Sequence, residues 1–332
     1  MDSQRMTILY FLITTGNLIK SDEDQDDLKL IVTKDQIKEW VYQQLLPSRD
    51  GFVGGPSLPR PLDHQGAVGH LASMYTALCL LIQCGDYQFE GIDKLAMLKS
   101  LRSYQNADEG YFRFLQAESE HDPRSCYCAA AILYMVTKAL SKNEREQVLA
   151  DPDAYAFDKE KLAAYLLDQC QGYTGGFSDQ DSYESHSGYT YCALAALKLL
   201  DVKMAASDYE RTIEFLAMRQ QEGGFQGRCN KLQDSCYSFW VKASLRIVQS
   251  LKPDEVQFDE ILKLDEEIDC AFVKECFTPH GGFAKYNFLK DHPDVLHTFY
   301  SVAALSLGRQ EASIKEVEPL LAIPKESFDA FI

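Results

Sequence analysis

The chain is short of basic charge: 33 Lys and Arg stand against 50 Asp and Glu, a formal net charge of −17. A nucleic-acid backbone as main partner is thereby excluded, because that role demands a basic stripe. An acidic field of this size suits a positively charged peptide or protein tail, or no more than an ordinary solvated surface. Missing too is any C-x-x-C pair among the ten cysteines, and no secretory leader is recognisable. Reduced thiols and a cytoplasmic location follow as expectations, in place of a disulfide framework. No hydrophobic run is long enough to span a bilayer, so no transmembrane segment is expected. The best candidate, "MTILYFLITTGNLI" (6–19), lacks a basic flank and a small-residue cleavage site, and reads as a core helix. Disorder is excluded by an apolar fraction of 46% beside 25% charged residues.

What is present is a repeat. Glycine-aromatic turns recur at Phe52 ("DGFVGG"), Tyr111 ("DEGYFRF"), Phe177 ("TGGFSD"), Phe225 ("EGGFQG") and Phe283 ("HGGFAK"), 48 to 66 residues apart. That period holds two helices and their connections, so each unit is a helical hairpin. After the turns come the runs "SMYTALCLLI" (73–82), "SCYCAAAILYM" (125–135), "TYCALAALKLL" (190–200), "SFWVKASLRIV" (238–248) and "TFYSVAALSL" (298–307). Apolar all round and rich in alanine and leucine, they suit buried helices. "KDQIKEWVYQQLL" (34–46) and "YERTIEFLAMRQQ" (209–221) are amphipathic and belong outside them. An inner ring of helices within an outer ring is an all-α fold, an α/α barrel.

When the buried runs are aligned on Tyr75, Tyr127, Tyr191, Phe239 and Phe299, the residues five positions upstream are His70, Asp122, His186, Asp234 and Asp294. Ionisable groups thus recur at one end of every inner helix. They sit either on the rim of a central cavity or as simple N-caps, a role that fits aspartate better than histidine. The segment "GGFQGRCNKLQDSCYSFW" (223–240) is the richest of these rims. Asp234 and Cys236, joined by His297 of "HPDVLH", are zinc-ligand types, and three protein ligands leave the open position of a catalytic site. Inert core is the other reading of a D-x-C pair. Arg228, Lys231, His186 and Tyr237 are donors suited to an anion with several oxygens, such as a diphosphate. For Arg228 and Lys231 the alternative is solvated surface charge, but the adjoining aromatics favour an apolar chain that ends in phosphate.

On these segments, together with "ESHSGYTYCALAAL" (184–197), the sequence resembles the β subunits of protein prenyltransferases from about residue 3 to the C-terminus. The resemblance implies one domain over residues 1–332, with six helical hairpins closed into a barrel. It also implies that the chain begins inside the first inner helix, so the first outer helix is missing and the first unit loosened. Further implied are zinc on Asp234, Cys236 and His297, and an isoprenoid diphosphate on His186, Arg228, Lys231 and Tyr237, with Trp240 on the lipid wall. An obligate α subunit is the implied partner.

Three positions separate the members of that family. Thr7 in "QRMTILYF" resembles the type I geranylgeranyl pattern, where a small residue replaces the farnesyl enzyme's tryptophan and leaves room for twenty carbons. Lys285 resembles the type I lysine that stands where the farnesyl enzyme has a magnesium-binding aspartate, so magnesium should be dispensable. Leu296, with Phe11, would shape a pocket for a C-terminal leucine, which implies C-a-a-Leu substrates among small GTPases of Rho and Rac type. "GGFQGRCNKL" and "HSGYTYC" read more like the farnesyl enzyme, and two residues more than the type I pattern separate Lys285 from His297. A farnesyltransferase β subunit is therefore the alternative enzyme. The type II enzyme, whose pattern lacks that lysine and the "HPD", ranks below both. A noncatalytic barrel that binds zinc or lipid is the alternative of another class, and the retained ligand and donor sets speak against it. A terpene-cyclase-like enzyme would need acidic initiating motifs that the sequence lacks.

Overall fold

Each of His70, Asp122, His186, Asp234 and Asp294 is the residue at which a helix begins. A computed structural model describes residues 2–19, 32–57, 69–116, 120–179, 183–258, 264–288, 292–308 and 311–332. Its helices are α1 (Arg5–Leu18), α2 (Lys34–Tyr42), α3 (Leu71–Gln83), α4 (Lys94–Arg102), α5 (Pro123–Lys138), α6 (Lys142–Ala150) and α7 (Pro152–Tyr155). There follow α8 (Lys159–Ala164, prolonged by a π-helical turn over Tyr165–Cys170), α9 (Ser187–Leu199), α10 (Ala206–Ala217), α11 (Ser235–Leu251), α12 (Glu266–Glu275) and α13 (Val295–Leu307). Strands β1 (Val317–Glu318) and β2 (Ile323–Pro324) pair antiparallel, and α14 (Lys325–Phe331) ends the chain.

The three aspartates cap their helices by accepting the N–H two residues on, which satisfies an orphan donor at the positive end of the dipole. His186 does the same through its side chain, against the expectation that histidine makes a poor cap. His70 makes no such bond.

α3 has no polar face: all residues from Ser73 to Gln83 are buried. Such a helix must be covered on every side. The inner helices supply that cover in a closed ring, in which α1 packs on α3, α3 on α5, α5 on α9, α9 on α11, α11 on α13 and α13 back on α1. α2, α4, α10 and α12 pack outside it on α3, α5, α11 and both α11 and α13, respectively. Each turns a narrow apolar stripe inward, Ile37 and Val41 on α2, or Tyr209, Ile213 and Leu216 on α10. Each fully buried side chain of this kind stabilises the ring by about 1.5–3 kcal/mol. α11 and α12 are also tied by a buried ion pair, Lys242 Nζ to Asp269 Oδ2 at 2.6 Å, whose carboxylate accepts Ser238 Oγ at 2.6 Å. α6 and α7 add helical structure that the period did not announce. No helix among the described residues is long and apolar enough to cross a membrane.

The repeat's register needs one correction. In the second unit Phe112, not Tyr111, is the counterpart of Phe52, Phe177, Phe225 and Phe283, because it is Phe112 that makes the corresponding β-bridge, to Gln105. The glycine pattern agrees: Gly110, Gly175 and Gly281 all have positive φ, and each lies two residues before its aromatic. Only glycine adopts that conformation without steric cost, so it marks the turn better than the next aromatic does.

α1 is well held. Met6 N–H donates to Gly54 O at 2.9 Å, and Ile19 makes a β-bridge to Ile314. The β1–β2 hairpin, which the sequence reading did not foresee, brings loop 319–322 against the inner ring. Four tyrosines donate to its carbonyls: Tyr191 to Pro319 O (2.8 Å), Tyr127 to Leu320 O (2.9 Å), Tyr75 to Leu321 O (2.6 Å) and Tyr10 to Ala322 O (2.6 Å). A buried hydroxyl left without a partner costs about 1–3 kcal/mol, so loop and ring stabilise each other.

Glu318 closes the loop from within by accepting Leu320 and Leu321 N–H at 2.8 and 2.9 Å. Burial pushes its pKa up to about 7, against those amides and Lys325. The folded chain therefore keeps a proton between about 4.5 and 7 that the unfolded chain gives up, and Glu318 lowers stability as pH rises through that window. Glu318→Gln is expected to match the parent near pH 5 and exceed it near pH 7.5, by on the order of 1–3 kcal/mol in urea unfolding. Equal stability at the higher pH would refute this account.

Candidate active site

The N-terminus of one inner helix hydrogen-bonds the glycine-aromatic turn of the next unit. Ser187 N–H donates to Gly227 O at 2.9 Å, and Ser235 N–H donates to Lys285 O at 3.0 Å while its Oγ donates to Ala284 O at 2.9 Å. Neighbouring rims are fixed together by these bonds. The cap of α9, His186, meets Tyr237 of the next unit and feels the charge of Arg228, and the cap of α11, Asp234, meets Lys285 and His297.

Asp234 is 4% exposed. Its Oδ1 accepts Cys236 N–H at 3.0 Å and lies 3.3 Å from His297 Nε2, and its Oδ2 is 3.5 Å from Lys285 Nζ. Donor atoms of Asp234, Cys236 and His297 all lie within 4.8 Å of one another, the one such cluster of three or more among the described residues. On the far side of the ring, His297 Nδ1 is 2.6 Å from Asp294 Oδ2, which turns Nε2 toward Asp234. Burial raises the Asp234 pKa, but hydrogen bonds from His297 and Cys236 outweigh it and hold the carboxyl below its usual range. For His297, burial opposes charge, yet Asp234 and Asp294 push the imidazole up to about 9. Burial and then Asp234 push the Cys236 thiol well up.

The cluster thus holds its buried carboxylate against a protonated imidazole and a protonated thiol. A divalent cation can replace both protons, and the N, S and O donor set suits zinc. Tetrahedral bonds of about 2.0–2.3 Å need N, O and single S donors roughly 3.3–3.6 Å apart, so the set has to contract by at most about 1.5 Å. Asp294 is the outer partner that such a histidine requires. The residues present therefore fit a metal ion.

The neighbouring rim gathers hydrogen-bond donors and positive charge, the groups an anion would need. His186 Nδ1 accepts Gly188 N–H at 3.0 Å, and Nε2 lies 3.0 Å from Tyr237 Oη. Burial, then Arg228 and Arg124, lower His186 to about 4, so the ring is neutral at pH 7. With Nδ1 accepting, the ring proton sits on Nε2 and is donated to Tyr237 Oη, whose own hydrogen is free for a further acceptor. The positive charge here comes from Arg228 and Lys231, not from His186. Both are exposed. Arg228 Nη1 lies 3.7 Å from Glu184 Oε2. Tyr237 can sit against the loop only because residue 227 is glycine, where a Cβ would fall 2.1 Å from its ring.

Both rims open on a cavity of about 530 Å³ inside the ring, which is lined by Thr7, Phe11, Trp240 and Leu296 as well as Cys236, His186 and Tyr237. Trp240 packs on Tyr300 with centroids 4.3 Å apart, and Phe11 stacks on Phe299 at 5.2 Å. Leu296, 37% exposed, sits at the mouth. Arg228, Lys231 and Lys285 stand outside the lining. Of the stretch between Lys285 and His297, residues 289–291 lie outside the described residues. Sequence reading missed Asp294 as a partner of His297, although a D-x-x-H spacing at a helix start was visible. It also missed Arg124, which lines the cavity, pairs with Asp122 at 2.5 Å and lies over the rings of Phe114 and Tyr189.

Residues 1–323 match the prenyltransferase alpha-alpha toroid domain. The chain belongs to the prenyltransferase family. It is 31% identical to the Arabidopsis thaliana geranylgeranyl transferase type-1 subunit beta, over 96% of this chain and 82% of that one. To the Pyricularia oryzae protein farnesyltransferase subunit beta it is 33% identical, over 77% of this chain and 50% of that one. Among solved structures, a Candida albicans protein geranylgeranyltransferase-I complexed with GGPP has the same fold, with a TM-score of 0.77 at 24% identity over 99% of this chain and 91% of that one. The expected α/α barrel is the observed architecture, and the chain is an enzyme subunit of the protein prenyltransferase kind.

Proposed function

We propose that this prenyltransferase is the β subunit of a zinc-dependent type I protein geranylgeranyltransferase, acting on the cysteine of C-terminal C-a-a-Leu motifs. The observation that carries the reading is one of placement. The Asp234, Cys236 and His297 donors adjoin the Tyr237 and Arg228 rim at the mouth of an aromatic cavity in which residue 7 is threonine. The Arabidopsis relative's name supports the type I assignment.

Asp234, Cys236 and His297 would hold the zinc, and the chemistry it would supply there is to lower the pKa of a substrate thiol so that thiolate is available at neutral pH. Asp294 keeps His297 turned toward the site. Arg228, Lys231 and the Tyr237 hydroxyl bind the diphosphate and meet the charge that grows on its oxygens as the carbon–oxygen bond breaks, which is worth most in the transition state. His186 orients Tyr237. Lys285 contributes the cation that makes magnesium unnecessary. Trp240, Phe11 and Tyr300 wall the isoprenoid chain and keep water from it, and Leu296 with Phe11 shapes the place of the terminal leucine. The enzyme works as a heterodimer with an α subunit, in the cytoplasm, on small GTPases of Rho and Rac type.

The test is coexpression with a cognate α subunit, with zinc and without magnesium. Geranylgeranyl and farnesyl diphosphate are then compared on peptides ending in C-a-a-Leu and C-a-a-Ser. The twenty-carbon lipid and the leucine peptide are expected to be preferred by at least about 10-fold in kcat/KM, within reach of pocket-shape discrimination. Preference for farnesyl and the serine peptide would instead support the farnesyltransferase reading that the Pyricularia relative favours.

A further inference from the structure

The repeat alignment singled out five aromatics, one per unit, five residues into each inner helix. Three are tyrosines and two, Phe239 and Phe299, are not. The three hydroxyls all have one destination. Tyr75, Tyr127 and Tyr191, with Tyr10 of α1, donate to the four consecutive carbonyls of residues 319 to 322. Tyr75, Tyr127 and Tyr191 lie about 7.5 Å down their helices from the rim caps. The same rings line the cavity, as does Ala322. The hydroxyls spend their hydrogens on the loop, so at this depth the tyrosines offer the cavity ring carbons, beside Ala322 and the weakly polar thiols of Cys128 and Cys192.

Ala322 is held in an unusual way. It is 5% exposed, and its backbone is left-handed at φ 54°. Its N–H donates to Glu318 O at 2.9 Å and its carbonyl accepts from Tyr10. Alanine is strained there, and glycine would be unstrained. A loop fixed through both its carbonyls and its amides cannot retreat when something presses on it, so a larger side chain at 322 must project into the space an occupant would fill.

We propose that the hairpin loop Pro319–Ala322 is the floor of the isoprenoid channel and that Ala322 is a residue that determines chain length, setting depth from below as Thr7 does from the side. The inference rests on the reading that this cavity receives an isoprenoid. It does not rest on which isoprenoid the enzyme prefers.

The experiment uses the heterodimer with its cognate α subunit and the ten-, fifteen- and twenty-carbon allylic diphosphates, with kcat/KM measured for each. Ala322→Leu is expected to lower use of the longest chain the parent accepts by about 10- to 100-fold relative to the next shorter one, the scale of overpacking. Ala322→Gly is expected to keep the parent's preference. An equal loss on all three lipids by a heterodimer that still assembles, or an unchanged ratio, overturns the proposal. If the parent prefers fifteen carbons, the type I assignment fails while the ratio of fifteen to ten still tests the floor.

Should Ala322→Leu fail to assemble, Ala322→Cys adds only a sulfur atom. Alkylation of the introduced thiol, followed by mass spectrometry of its peptide, is expected to be blocked by the longest accepted diphosphate and not by the ten-carbon one. Equal protection by both, or by neither, overturns the proposal as well.

Discussion

Cys236→Ala is expected to strip the metal from the heterodimer and to lower turnover by on the order of 10³-fold or more. At pH 7 a peptide thiol of ordinary pKa is only about 3% thiolate, so losing its activation alone costs about 30-fold. Losing its placement beside the leaving group costs the rest. The fold should survive. Without a cation the cluster already holds Asp234 against a protonated His297, with Lys285 3.5 Å away, and a methyl in place of a buried thiol leaves those pairs intact. Zinc content per heterodimer, melting temperature and single-turnover rate are the three measurements. Cys84→Ala, at the end of α3 and remote from the rim, is the control. Stoichiometric zinc in Cys236→Ala would remove Cys236 from the ligand set, and a collapsed melting temperature in both variants would make the loss a matter of folding.

Much of this site was legible in the sequence because the barrel repeats itself. Runs with no polar face had to be interior, and aligning them put Asp234, His186 and Asp294 at equivalent helix starts from residue order alone. Periodicity reports which residues are buried and at what height, but not how adjacent units are joined. The bonds from Ser187 to Gly227 and from Ser235 to Lys285 are what place Arg228 beside His186 and Lys285 beside Asp234. A backbone carbonyl leaves no trace in residue type.

The same limit explains the misses. Tyr111 and Phe112 are both aromatic, and only the left-handed Gly110 two residues before Phe112 tells them apart. His186 looked like a poor cap because propensity describes the average histidine, whereas this one has its Nε2 committed to Tyr237. "VEPLLAIP" gave no alternation, since its strands are two residues each and its loop is held by tyrosines some 130 to 310 residues away in sequence.

Lys285→Asp is expected to make the enzyme depend on magnesium, where the parent is indifferent to it. Lys285 Nζ lies 3.5 Å from Asp234 Oδ2, and its backbone is held by Ser235, so its charge is fixed in place. Burial opposes that charge, but Asp234 and Tyr286 outweigh it, and the raised pKa keeps the ammonium protonated throughout the working range. Aspartate at 285 would replace that ammonium with a carboxylate on a shorter side chain, leaving Asp234 to its own cluster. The carboxylate repels a diphosphate, and together with the diphosphate oxygens it offers a hard oxygen site for a divalent ion. Without magnesium, kcat is expected to fall by about 10²-fold, the loss of one charge-stabilising contact in the transition state. Millimolar magnesium should restore most of it. Lys285→Ala separates the two effects, because it lacks the cation and cannot recruit one, so its deficit should persist at every magnesium concentration. In the proposed reading Lys285 meets the charge that grows as the diphosphate departs, so the loss is expected in kcat more than in KM. A Lys285→Asp enzyme equally slow with and without magnesium would mean that the ammonium serves Asp234 alone, as a neighbour that holds the carboxylate in place. A parent that already needs magnesium would mean that Lys285 does not do the work of the ion.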